Sequence, residues 1–201
     1  MGFFEQMREL EAKYLASEEP WRQSGFSGPE ERWVALRKPV ADCIDRSGSF
    51  LDIGCANGYL LECILRWTRF AIDPYGIDLS ARLVALAQRR LPAAHFTVAN
   101  AATYRPSRRF DFVRTELCYV PATDEAAYLR HLLTHVVAAN GTLLVCNYAE
   151  SLPDVANRII PGAHPTTDLA SRLTALNFTA TFRDAVDPIK HRRIRIAILH
   201  H

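Results

Sequence analysis

No apolar run in this chain approaches the ~20 residues needed to cross a bilayer. The opening stretch, Met1 to Lys13, sets acids among its apolar side chains where a secretory leader is basic and then continuously apolar. These two absences exclude a spanning helix and a secretory signal, so a cytoplasmic location is expected. Net charge is also scarce, at +2 from 24 Lys and Arg against 22 Asp and Glu. Electrostatics alone therefore neither demand nor exclude a nucleic-acid partner. There is no Cys-x-x-Cys pair. Cys43, Cys55, Cys63, Cys118 and Cys146 stand apart, mostly inside apolar segments, where a free thiol packs as a small hydrophobe. Internal repeats and low-complexity tracts are missing, which removes solenoid and array architectures.

What is present is the balance of a packed domain: 201 residues, 49% hydrophobic and 23% charged. One domain over residues 1–201 is expected, with residues 1–45 as a helical extension within it. Phe3 to Leu15 carry apolar side chains at helical spacing. Glu19 to Gly28 read as a turn-rich loop holding Trp21 and Phe26, and a second helix begins at Pro29 and runs to about Ile44. From there, short apolar runs alternate with amphipathic ones. Strands are expected at Ser49–Ile53, Tyr75–Ile77, His95–Val98, Phe110–Arg114 and Thr142–Cys146. Helices are expected at Tyr59–Trp67, Ser80–Arg90 and Asp124–Ala138. A looser stretch, Glu150 to Pro165, precedes a helix at Thr167–Leu176 and two last strands, Thr179–Arg183 and Ile194–Leu199, joined through Pro188. Their connection is not helical, so they form an antiparallel hairpin at the edge of an otherwise parallel sheet. The pattern predicts an α/β fold, a Rossmann-like doubly wound sheet of seven mostly parallel strands.

The first strand ends in Asp52-Ile53-Gly54-Cys55-Ala56-Asn57-Gly58 and passes straight into a helix. Such sheets bind ligands at the carboxyl ends of their strands. Gly54 and Gly58 let the backbone turn sharply, and the helix behind them offers free N–H groups. Asp78, 24 residues after Gly54, closes the second strand, where a carboxylate accepts hydrogen bonds from a ribose diol. On these residues the sequence resembles the class I S-adenosylmethionine-dependent methyltransferases, as a small single-domain member, from about Phe50 to Tyr148. The resemblance implies S-adenosylmethionine as cofactor. Asp52 and the loop Gly54, Cys55, Ala56, Asn57 and Gly58 would hold its methionine part, Asp78 the ribose, Leu79 the adenine face, and Asn100 with Ala101 the adenine edge. Glu116 would face cofactor and substrate. The chain departs from the family at Ala56, usually glycine, and at Asn100, commonly aspartate, which keeps an acceptor oxygen but loses the charge.

The rival reading of the loop is a nicotinamide-dependent oxidoreductase. Its G-x-G-x-x-G needs glycine where Ala56 and Tyr59 stand, so two of three glycines are missing. Catalytic candidates are Glu116, as base or as a cofactor-binding carboxylate, Tyr119, lining the acceptor pocket or packed under its loop, and His164, acting near pH 7 or exposed in its loop. Trp21, also a cofactor-site candidate, sits with Ser24, Gly25 and Phe26 in a loop able to fold over the cofactor as a lid or to pack the extra helices onto the sheet. The acids after the fourth strand and near Asn147 form no oxygen-ligand cluster, and no His or Cys pair has zinc spacing, so no metal is expected. The basic clusters Arg89-Arg90, Arg105–Arg109 and Lys190–Arg195 lack interleaved aromatics and read as solvated charge. The expected activity is methyl transfer to a small-molecule acceptor, without a membrane or nucleic-acid partner, the oligomeric state being left open. An RNA methyltransferase and a non-catalytic S-adenosylmethionine-binding partner protein are the other readings.

Overall fold

A computed structural model describes residues 11–150, except the side chain of Ala149, and residues 168–201. Seven strands form one sheet: β1 (Gly48–Ile53), β2 (Ile72–Asp78), β3 (His95–Val98), β4 (Phe110–Thr115), β5 (Val137–Glu150), β6 (Thr181–Val186) and β7 (Arg193–His200). Their order is β3-β2-β1-β4-β5-β7-β6. The first five run parallel, while β7 pairs antiparallel with both β5 and β6. The helices are α1 (Glu30–Ala41), α2 (Tyr59–Trp67), α3 (Ala81–Arg90), α4 (Glu125–His135) and α5 (Leu169–Ala175). This is the doubly wound α/β sheet with its terminal antiparallel hairpin that the sequence pattern predicts.

Successive side chains on a strand point to opposite faces, and the central strands carry apolar side chains on both, because both faces are covered. Leu51, Val113, Leu143 and Val145 enter one core with Leu129 and Leu132 of α4 and Leu169 and Leu173 of α5. Their neighbours Phe50, Phe112, Leu144 and Cys146 enter the other, with Trp33, Leu36 and Val40 of α1 and Leu61 and Ile64 of α2. Trp33 packs on Tyr59 with ring centroids 4.6 Å apart, so the bulk at position 59 anchors the N-terminal extension.

The structure corrects several boundaries: β5 runs Val137–Glu150 where Thr142–Cys146 is expected, and α1 ends at Ala41, short of Ile44. β2 starts at Ile72 instead of Tyr75, because Ile72, Asp73 and Pro74 pair with β1 alone. Pro74 therefore lies where β2 is still an edge, the one strand context that accepts a residue without an N–H. α4 stops at His135, short of Ala138, because Val137 already pairs with Phe110. The final hairpin sits two or three residues further along at β6. The N-terminal helix expected over Phe3–Leu15 is described only from residue 11, where helix continues to residue 15. Thr167 lies outside the described residues.

α1 is also tied to the far end of the chain. Arg32 forks onto Asp187, Nε to Oδ2 at 2.9 Å and Nη2 to Oδ2 at 2.6 Å, and Asp187 also accepts from the N–H groups of Ile189 and Lys190 at 2.9 and 3.1 Å. The Asp187 side chain is fully buried. The Arg32 hydrogen bonds and these backbone donors hold its carboxyl well below the usual carboxylate range, against the opposing effect of burial. A native pKa below the unfolded value gives stability that is complete above about pH 4. That stability is lost as pH falls toward the native pKa. Asp187→Asn is expected to cost about 2–4 kcal/mol at neutral pH and to flatten the loss of stability below pH 4. Denaturant melts of both proteins from pH 2 to pH 7 test this, and parallel acid slopes would refute it.

Candidate active site

At the carboxyl ends of β1, β2 and β4 the chain opens into a cavity of about 730 Å³, within the range of small-ligand sites. The turn after β1 forms its floor. Gly54 (φ 72°), Ala56 (φ 47°) and Gly58 (φ 75°) all lie in the left-handed region, which only glycine enters without strain. Local bonds hold this shape: the N–H groups of Gly54 and Cys55 donate to the Ile77 carbonyl at 2.8 and 3.0 Å, and Gly58 N–H closes the turn on Cys55 O at 2.9 Å. Asp78 completes it. Its Oδ2 accepts from Ala56 N–H and its Oδ1 from Ser80 N–H, each at 2.9 Å, so one carboxylate joins the loop to the start of α3. Burial raises the Asp78 pKa, opposed by those same N–H bonds. Each oxygen keeps a second lone pair for a ligand.

The opposite wall is built on Arg114, a guanidinium buried near the carboxyl end of β4. Nη1 donates to Asp52 Oδ1 at 3.2 Å, to Ile53 O at 3.3 Å and to the Tyr119 hydroxyl at 2.9 Å. Nη2 bonds Glu116 and, at 3.2 Å, the Tyr148 hydroxyl. Tyr119 in turn donates to Glu116 Oε1 at 3.2 Å. Burial raises Asp52 to about 6 despite the pull of Arg114. Burial also pushes the Tyr119 phenol well up, against Arg114, so it stays protonated at neutral pH and acts as a donor rather than a base. Arg114 is the residue that sequence reasoning missed. Its signal was a lone cation inside Phe110-Asp111-Phe112-Val113-Arg114-Thr115, where a central strand has no reason to carry one.

The N-terminal extension supplies the remaining wall. Glu11, Tyr14, Ser24, Gly25, Trp33 and Arg37 all line the cavity. Tyr14 lies so close on Gly25 that a side chain there has no room. Asn57 Nδ2 donates to Pro20 O and Gln23 Oε1, both at 3.0 Å, and Ser80 bonds Glu11.

Residues 50–141 match the family model of a methyltransferase domain. Over this stretch the sequence is similar to a methyltransferase domain, and the fold around it is the one seen in solved S-adenosylmethionine-dependent methyltransferases. The chain is 25% identical over 149 residues to a trans-aconitate 2-methyltransferase of Rhodopseudomonas palustris, covering 70% of this chain and 57% of that protein. A second protein of that name, from another strain, is 23% identical over 81% of this chain and 66% of its own length. The chain thus spans less than two thirds of either relative. Among solved structures it is similar to the magnesium protoporphyrin IX methyltransferase of Synechocystis with bound S-adenosylmethionine, at TM-score 0.59 and 18% identity over 90% of this chain and 89% of that one. It is also similar to the Burkholderia thailandensis 1,6-didemethyltoxoflavin-N1-methyltransferase with bound S-adenosylhomocysteine, at TM-score 0.63 and 16% identity over 100% and 90%.

Within the matched residues, the cavity wall brings together Asp52, Gly54, Cys55, Ala56, Asp78, Leu79, Asn100, Ala101, Glu116 and Tyr119. Asn100 is exposed, and its Oδ1 accepts from Ala102 N–H at 2.9 Å. Three expected residues stand off the wall. Trp21 packs toward the α1 core and donates its indole N–H to Gly28 O at 3.1 Å. Asn57 turns its amide to the N-terminal loop, and Gly58 caps α2 against Ala87 and Phe96. His164 lies outside the described residues. Of the lid candidates, Ser24 and Gly25 reach the cavity, whereas Phe26 packs in the α1 core.

The residues present fit the cofactor that such a domain uses. Four acids on the wall (Glu11, Asp52, Asp78, Glu116) face two cations (Arg37, Arg114), an excess of negative charge suited to a sulfonium and an ammonium. A Cβ on Gly54 would stand 2.5 Å from the Tyr119 ring. Gly54→Ala is therefore expected to lower stability by about 1–3 kcal/mol through left-handed strain and overpacking and to displace Tyr119 into the cavity. Thermal melting with and without S-adenosylhomocysteine checks this. A variant that melts and binds like the native protein would contradict the placement of Tyr119.

Proposed function

We propose that this chain transfers the methyl group of S-adenosylmethionine to a small-molecule acceptor. The observation that carries this reading is the double role of Asp78, which fixes the glycine turn through Ala56 and the head of α3 through Ser80 while facing the cavity. A carboxylate so placed accepts from a ribose diol, and Leu79 and Asn100–Ala101 lie beside it for the purine. The cofactor, when bound, supplies a methyl group on a cationic sulfur, open to in-line displacement by an acceptor nucleophile.

For the chain itself, the work is positioning and exclusion of water. Arg114 and the Tyr119 phenol hold Glu116 in one orientation on the cavity wall, where its carboxylate takes up or orients the proton of an acceptor oxygen or nitrogen. The segment from Glu11 to Gly25 covers the site as a wall, which supports an acceptor of small size over a polymer laid across an open face. The relatives named as trans-aconitate methyltransferases make a small carboxylic acid the first acceptor to try. Among the described residues no helix is long and apolar enough to cross a membrane.

Isothermal titration with S-adenosylhomocysteine is expected to give saturable 1:1 binding. Asp78→Ala should weaken it at least about tenfold, the loss of one or two hydrogen bonds to a charged group. NAD(H) and NADP(H) should leave the melting temperature unchanged. Stabilisation by a dinucleotide in place of S-adenosylhomocysteine would overturn the reading.

A further inference from the structure

Each of two other arginines packed into this part of the fold has its carboxylate. Arg32 forks onto Asp187, and Arg114 holds Asp52 and Glu116. Arg37, one turn of α1 beyond Trp33, has none among the described residues. Its Nη1 is buried without a hydrogen-bond partner among those residues. The guanidinium lies over the Tyr148 ring, with Cζ 3.7 Å from the centroid, and is flanked by Trp33 and Phe26 at 5.9 and 6.0 Å. These aromatic contacts hold the guanidinium in place. Tyr148 cannot swing aside, because its hydroxyl accepts from Arg114 at 3.2 Å. The same Arg37 lines the cavity.

An immobilised guanidinium with an unused N–H in a partly desolvated wall carries a standing energetic cost, because its donors have given up water without replacement. The cost is relieved by a planar anion that takes two parallel N–H bonds, and a carboxylate matches that fork. We propose that Arg37 is a carboxylate-binding residue of the cavity, receiving the carboxylate of the cofactor's methionine part or that of the acceptor. This rests on the methyltransferase reading for the identity of the cavity, but the group it binds is set by Arg37 itself. Aromatic stacking alone does not account for the site, since it uses the face of the guanidinium and leaves its edge unspent.

The test is titration of native protein, Arg37→Gln and Arg37→Lys with three probes. S-adenosylhomocysteine carries the methionine carboxylate, and 5′-methylthioadenosine is the same thioether nucleoside without it. Trans-aconitate, added to S-adenosylhomocysteine-saturated protein, supplies an acceptor-like carboxylate, with its uncharged trimethyl ester as control. If the cofactor is the source, Arg37→Gln weakens S-adenosylhomocysteine about 10- to 100-fold and leaves methylthioadenosine within twofold. If the acceptor is the source, S-adenosylhomocysteine is unchanged and trans-aconitate binding, absent with the ester, is lost in Arg37→Gln. In either case Arg37→Lys falls between, keeping the charge and losing the fork.

The proposal is overturned if Arg37→Gln matches native protein for both carboxylate probes. It is equally overturned if methylthioadenosine weakens by the same factor as S-adenosylhomocysteine, which marks a general distortion. Native protein that binds neither nucleoside overturns the methyltransferase reading instead, and dependence of trans-aconitate binding on Arg37 then decides the carboxylate site alone.

Discussion

The buried guanidinium of Arg114 is the constraint around which the catalytic end of this molecule is arranged. A charge in the centre of a parallel sheet is tolerated only when paired and hydrogen-bonded. At the two terminal nitrogens the chain meets that demand with Asp52 from β1, Tyr148 from β5, and Glu116 and Tyr119 from the turn after β4, while Nε has no partner among the described residues. Of these strands, β1 and β4 frame the cavity with their carboxyl ends. Satisfying one cation thus fixes the wall of the site, and the same bonds aim Tyr119 over Gly54. The arrangement has a cost. Asp52 is driven up to about 6 by burial, so its ionisation works against the native state as pH rises from about 4 to 6. A purely structural core has no use for such a group, whereas a site for a cationic ligand does.

A second layer depends on the first. Residues 11–41 hold no part of the sheet, yet they supply Glu11, Tyr14, Ser24, Gly25, Trp33 and Arg37 to the cavity. Contacts to the rest of the fold position them, among them Trp33 on Tyr59, Asn57 on Pro20 and Gln23, and Arg32 on Asp187. Asn57 belongs to the glycine turn, so the loop that reaches the cavity through its backbone grips the covering segment through its side chain. Arg37 brings the one cation on this wall that no described residue neutralises.

Much of this was legible in the sequence because it follows from local rules. Strand and helix alternation, the glycine turn and the carboxylate of Asp78 are set by short-range pattern and by the place where such sheets bind ligands. The early start of β2 was not legible, because Pro74 argues against a strand until the missing neighbour on its far side is known. The end of α4 was hidden because Val136 and Val137 suit helix periodicity and strand alike. Trp21 and Asn57 illustrate a different gap. Residue type and loop position place them near the cofactor, but which way a side chain points is decided by tertiary partners, here Gly28 O for one and Gln23 for the other. The roles of Arg114 and Arg37 are visible only as a pairing and a lack of pairing, properties of the folded chain.

The most direct measurement is the structure of the protein grown with S-adenosylhomocysteine. The account predicts the nucleoside in the cavity floored by Gly54 and Ala56, its ribose hydroxyls on the Asp78 carboxylate and its sulfur on the side of Tyr119 and Glu116, with the Arg114 bonds retained. Density for the ligand at another surface, or a cavity that closes around Arg114 and admits no ligand at saturating concentration, would contradict it.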